Sequence, residues 1–137
     1  KSDLKQDGIE NNIVFKNNKQ MLSIFNTISS SKQTDGSHQL NRPDSTYGAS
    51  YDVSINDTFI GPISFIYTYK HYGKSFDYKP TITKVDSTDI MNLSILKKTN
   101  LGVISFNITN LLDENYQRPE GYTQNGRLAN LRFRLGF

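Results

Sequence analysis

The sequence predicts an all-β chain, an antiparallel transmembrane β-barrel segment whose strands each carry one apolar and one polar face. Three observations point there. Apolar residues recur singly at every second position with Ser, Thr, Asn or Gly between them, the period of a strand with two unlike faces. Short turns rich in Asn, Asp and Thr alternate with long polar connections, as in a meander with unequal ends. The alternating segments also reach the ~9–11 residues that a tilted strand needs to cross a bilayer.

Taken from the N-terminus, Ile9, Ile13 and Phe15 face away from Glu10, Asn12 and Lys16. In the stretch from Met21 to Ser31, Leu22, Ile24 and Ile28 share a face, although Asn26 sits with them and Phe25 opposes them. Tyr47, Ala49, Tyr51, Val53 and Ile55 alternate with Thr46, Gly48, Ser50, Asp52 and Ser54. Ile63, Phe65, Tyr67 and Tyr69 alternate with Ser64, Thr68 and Lys70, and Met91, Leu93 and Ile95 with Asn92 and Ser94. Ile104, Phe106 and Ile108 oppose Ser105, Asn107 and Thr109. The last segment is the cleanest: Ala129, Leu131, Phe133, Leu135 and Phe137 make one face, and Asn130, Arg132, Arg134 and Gly136 the other, with Leu128 the exception. Seven strands result, spanning 6–16, 20–33, 44–56, 60–73, 89–98, 101–111 and 127–137. Short turns fall at 17–19, 56–58 and 98–100, and long connections at 34–43, 73–88 and 112–126. No segment keeps a helical period, and the composition is rich in Gly, Asn, Ser, Thr and β-branched residues, all poor helix formers.

Composition narrows the function classes. The chain has 137 residues, one domain's worth at most, and lacks cysteine, which excludes a zinc or disulfide framework. No run approaches the ~18 apolar residues of a membrane helix. Lys+Arg 16 against Asp+Glu 13 leaves +3, evenly spread, and a nucleic-acid binder would show a basic patch or stripe. No apolar h-region of a secretion signal is visible. Only 35% of the chain is hydrophobic, a thin supply for a soluble core.

In lipid every backbone amide must be paired within the protein, so a sheet can span only by closing on itself. The apolar face is then expected against outer-membrane lipid and the polar face along an enclosed lumen. Tyr47, Tyr67, Tyr69 and Tyr72 suit the interfacial girdle. The competing reading is a secreted soluble β-sandwich binding module, in which these tyrosines are ordinary strand formers. Bacterial single-chain barrels have even strand numbers. An odd count therefore leads to the expectation that residues 1–137 are the C-terminal fragment of a larger barrel.

Certain residues carry a family likeness. Asn107-Ile-Thr-Asn-Leu-Leu-Asp-Glu-Asn-Tyr116, then Gly121-Tyr-Thr-Gln-Asn-Gly-Arg127 and a final Phe137, resemble the N-L-x-D-x-x-Y and G-Y-x-x-x-G-R segments and terminal aromatic of TonB-dependent outer-membrane receptors. Gly8-Ile9-Glu10 resembles a G-x-E strand start in that family, and Leu40-Asn-Arg-Pro43 its R-P strand start. Among subfamilies the pattern is most similar to cobalamin and siderophore receptors. The resemblance implies a 22-stranded barrel with an N-terminal plug, of which these are the last seven strands. It implies uptake of a scarce small-molecule ligand at the outer membrane of a Gram-negative bacterium. It also implies a TonB complex reached through a plug region that none of these residues supplies. No cofactor, metal, nucleic acid or enzymatic step is expected.

Site residues follow from the loops and the last strand. Phe76 and Tyr78 are expected to offer flat apolar surface to a bulky ligand, with Lys74, Asp77 and Lys79 adding polar contacts. Tyr116, Arg118, Tyr122 and Arg127 in the last long loop are further ligand candidates, with bracing of loop and lumen wall the competing role for Tyr122 and Arg127. Phe133, Leu135 and Phe137 resemble the signal read by the outer-membrane assembly machinery, which adds a strand to a sheet edge; a plain lipid-facing girdle is the simpler reading of Phe137. Ser37, His38 and Asp35 raise the idea of a barrel hydrolase, but neighbours in sequence do not make a positioned nucleophile, base and orienter. Asp35, Asp44, Asp86 and Asp89 lack the spacing of a calcium loop and are expected as solvated charge.

Overall fold

The computed structural model describes residues 4–33, 40, 42–56, 58–78, 82–118 and 121–136. Every regular element is a strand: β1 (Leu4–Lys16), β2 (Gln20–Gln33), β3 (Ser45–Ile55), β4 (Ile63–Tyr72), β5 (Ser75–Tyr78), β6 (Ile82–Val85), β7 (Thr88–Thr99), β8 (Gly102–Thr109) and β9 (Leu128–Leu135). All pairings are antiparallel. The order β1-β2-β3-β4-β7-β8-β9 makes one seven-stranded sheet, and β5-β6 a separate hairpin. The all-β antiparallel expectation and its seven long strands are therefore met. Among the described residues β1 and β9 do not pair, so the sheet is open.

Local chemistry sets the short turns. Asn17 Oδ1 accepts from the main-chain N–H groups of Lys19 and Gln20, both at 2.8 Å, an Asx-type turn that reverses the chain between β1 and β2. Asn100 and Leu101 alone separate β7 from β8, where Thr99 Oγ1 donates to the Gly102 carbonyl at 3.0 Å. The connection 73–88 departs from expectation, because it folds into the β5-β6 hairpin between β4 and β7. Among the described residues β5 and β6 pack on each other and on no other strand.

The register sorts side chains onto two faces, because directly paired residues point the same way. One face carries the row Phe15, Leu22, Tyr51, Tyr67, Leu93, Ile108 and Ala129. The next row is Val53, Phe65, Ile95, Phe106 and Leu131. These side chains are uncovered: Leu131 is 73% exposed, Phe133 52% and Phe106 38%. The one buried hydrophobic among the described residues is Val85, in the β5-β6 hairpin. Among the described residues no second layer of strands packs on the large sheet.

The opposite face is polar. Ser50, Thr68 and Asn92 form one row, and Ser54, Ser64, Leu96, Ser105 and Arg132 another. Cross-strand bonds tie them together: Ser54 Oγ to Ser64 Oγ at 2.9 Å, Asn92 Nδ2 to Thr68 Oγ1 at 3.1 Å, and Asn107 Nδ2 to Asn130 Oδ1 at 3.2 Å. Side chains of β3, β4, β7, β8 and β9 on this face line an open-sided cavity of about 600 Å³. Five flat strands would spread it over roughly 19 Å, so the sheet curls towards its polar face.

Both exceptions to the alternation in 20–33 are resolved pairwise. Phe25 stands opposite Gly48 on the polar face, and its ring takes the space a Cβ at Gly48 would need. Asn26 stands opposite Asn11 on the apolar face, where Asn11 Nδ2 donates to Asn26 Oδ1 at 3.3 Å.

Candidate functional site

At the long-loop end the structure builds a platform from the β5-β6 hairpin and the 112–126 segment. Arg118 joins them. Its Nη2 donates to the Gly73 carbonyl at 2.8 Å, and at longer range to those of Tyr72 (3.5 Å) and Asp86 (3.4 Å). The guanidinium carbon lies 5.0 Å from the centre of the Tyr72 ring, within cation–π range. These carbonyls are the roots of the hairpin, so a residue expected to touch ligand fastens two loops together. The segment also bonds to itself: Gln124 N–H donates to the Tyr116 carbonyl at 2.9 Å, and Gln124 Nε2 to the Arg118 carbonyl at 2.8 Å. Tyr116 is half-buried and Tyr122 exposed. Phe76 is half-buried in β5, and Asp77 and Tyr78 belong to the same strand by their main chains. The structure thus groups Phe76, Tyr116, Arg118 and Tyr122 on the loops of one end.

Arg127 stands apart from that group, at the root of β9. Its main-chain N–H donates to Asp113 Oδ1 at 2.6 Å. Asp113 and Asn110 both adopt positive φ, 59° and 52°, a region that Asn and Asp tolerate better than most residues. Asn110 is buried, with its Oδ1 accepting from Glu114 N–H at 2.9 Å and its Nδ2 donating to the Glu114 carbonyl at 2.8 Å. Asn110 N–H in turn donates to Asn92 Oδ1 at 3.0 Å. The Asn and Asp of the N-L-x-D run are therefore the residues that turn the chain out of β8 and hold the start of β9.

A polar row crosses the otherwise apolar face near the same end: Asn11, Asn26, Tyr47, His71 and Asp89. Tyr69 Oη donates to Asp89 Oδ1 at 2.7 Å, and His71 Nδ1 lies 2.7 Å from the same oxygen. The Tyr47 ring stacks on His71, with centroids 4.4 Å apart. Asp89, with 44% of its side chain exposed, is engaged by two side chains as well as by solvent, a pairing its expectation as solvated charge does not include. Sequence period places Tyr47 and Tyr69 on the apolar faces of their strands, but only the register of three adjacent strands brings His71 and Asp89 to the same place. At the other end of the band Lys97 shares the apolar face, and its Nζ bends to the Ile60 carbonyl in the turn.

The polar concave wall holds both charges of β9, Arg132 and Arg134. At its short-turn end Lys98, Arg132 and Arg134 line the cavity together with a single carboxylate, Asp52. Ile66, Leu96 and Val103 add apolar lining, and Ser54, Ser64 and Ser105 hydroxyls. Arg132 and Arg134 were legible as the polar face of the last segment; Lys98 joins them only through the β7-β8-β9 register.

Phe133 and Leu135 lie on the exposed apolar face of β9, half or more exposed. Phe137, Lys79, Asp35, Ser37 and His38 lie outside the described residues. No protein-family model matches the chain, and no curated protein matches it.

Proposed function

We propose that this chain forms lipid-facing wall in an outer-membrane β-barrel receptor similar to TonB-dependent receptors, the last seven strands of a 22-stranded barrel that imports a scarce ligand such as a metal chelate or cobalamin. One observation carries the reading: the sheet leaves its apolar face uncovered and curls around its polar face. In water the uncovered face would forgo burial worth on the order of tens of kcal/mol, against a typical net stability of ~5–15 kcal/mol. Lipid removes that conflict. The rows from Asp89 to Lys97 along β7 bound the apolar band. They lie about 27 Å apart along the strand, or roughly 21 Å in depth at the usual barrel tilt, close to the ~25 Å of such bands. Lys97 bending to the turn carbonyl is the snorkelling expected of a cation at that boundary.

In this reading Phe76, Asp77, Tyr78, Tyr116, Arg118 and Tyr122 belong to the outer ligand-facing surface, with Arg127 at the root of its last loop. Phe133, Leu135 and Phe137 serve recognition by the assembly machinery. Contact with the TonB complex falls to a plug outside these residues.

The chain has no cysteine, so single-cysteine variants give the test. Residues 129–134 are replaced one at a time, and the protein is folded in phosphatidylcholine vesicles and labelled with an environment-sensitive dye. Lipid-borne quenchers should act on 129, 131 and 133, and aqueous iodide on 130, 132 and 134. A protein that stays monomeric and folded in buffer, with positions 131 and 133 shielded from both quenchers, would return the β-sandwich.

A further inference from the structure

We propose that the short-turn end of the concave wall is a binding site for an amphiphilic organic anion, an apolar body bearing carboxylate, sulfonate or phosphate groups, held by Lys98, Arg132 and Arg134. The cavity of about 600 Å³ falls within the ~300–1,000 Å³ typical of small-molecule sites. Its lining is of two kinds. Ile66, Leu96 and Val103 supply apolar surface, and three cations face one carboxylate.

The cations are also clustered by register. Lys98 and Arg134 flank Val103 in one row, which sets their Cα atoms about 10 Å apart. Arg132 is two residues from Arg134 on the same face, roughly 7 Å away. Among the described residues no carboxylate reaches ion-pair distance of any of the three. Like charges held this close on a curled, partly apolar wall focus a positive potential and raise the local concentration of anions. Guanidinium groups add planar donor pairs that match carboxylate, sulfonate and phosphate oxygens.

Asp52 lies on β3, across the cavity from β9. The site is therefore polarised, with the anion's charged end directed to β9 and its apolar body over Ile66 and Leu96. Ser105 and one hydroxyl of the Ser54–Ser64 pair can donate to further oxygens. This site rests on the barrel reading only for what encloses the open side of the cavity.

Pyranine, an aromatic trisulfonate that stays out of bilayers, is the probe. Its fluorescence anisotropy is titrated with the full chain in phosphatidylcholine vesicles. Saturable binding is expected. Arg132→Gln/Arg134→Gln should weaken it at least ~10-fold, the scale of one or more lost charge-assisted bonds, and Arg132→Lys/Arg134→Lys should retain most of it. Ser64→Glu, which leaves both arginines in place, should also weaken binding. Lys70→Gln, on the same face towards the opposite end, should not. Equal affinity of wild type and the double Gln variant, equal affinity for a tricationic pyrene, or absence of wild-type binding overturns the site. Absence of binding with the alternating quench pattern of β9 intact counts against this site alone; binding without that pattern counts against the membrane reading alone.

Discussion

Asp113 Oδ1 accepts the main-chain N–H of Arg127 at 2.6 Å, and the same oxygen would stand 2.8 Å from a Cβ built on Gly126. The bond and the bare glycine are one device. The acceptor can approach the start of β9 only because the preceding residue has no side chain. The device couples Asp113 to Arg127, fourteen residues further along the chain.

Gly126→Ala should therefore destabilise the protein by about 1–3 kcal/mol through loss of that bond. Asp113→Ala should cost a similar amount, and the double variant little more than either alone, since both remove one interaction. Urea unfolding of micelle-folded protein measures all three. Additive costs would show that the two positions act independently.

Arg118→Gln should release the β5-β6 hairpin from the last loop while leaving the large sheet intact. Its guanidinium reaches three carbonyls at the hairpin's roots, and a shorter neutral amide cannot span them. Hydrogen exchange across 75–85 should accelerate at least ~10-fold, the scale of one charge-assisted bond, with exchange in β7 and β8 unchanged. Uniform acceleration throughout would mean the residue supports the whole fold.

The large sheet was legible because its strands alternate, and a period of two survives substitution of one apolar residue by another. The hairpin was not. Its strands have four residues each, too short for alternation to rise above a polar loop, and Lys79-Pro80 interrupts them. Asp89 was missed for a different reason. Its partners Tyr69 and His71 are twenty and eighteen residues away, and only the β4-β7 register, which skips the hairpin, brings them together. Phe25 and Asn26 looked like noise in the pattern because each is explained by a residue on a neighbouring strand. In the N-L-x-D run the motif was visible and its cause was not: a positive φ cannot be read from a residue name alone.

Asp89→Ala should cost about 1–3 kcal/mol, since it leaves the Tyr69 hydroxyl and His71 Nδ1 without their shared acceptor. Tyr69→Phe in the Asp89→Ala background should recover part of that loss by removing the orphaned hydroxyl. Chemical denaturation of the two variants checks this. No recovery would show that the hydroxyl finds another partner.

Depth along the apolar face gives the most direct test of what that face touches. Leu93 lies midway between the Asp89 and Lys97 rows, opposite Tyr67 and Ile108, and Ile55 lies in the Lys97 row. In a bilayer Leu93→Arg should cost ~2–4 kcal/mol and Ile55→Arg ~0–1 kcal/mol, because a cation near the boundary can reach water and one at the midplane cannot. Folding titrations in phosphatidylcholine vesicles measure the difference. In a water-filled setting the half-buried Leu93 and the exposed Ile55 would both let an arginine reach water, would respond alike within about 0.5 kcal/mol, and the gradient would vanish. A gradient centred on another row would instead shift the bilayer along the strands and carry the Asp89 and Lys97 boundaries with it.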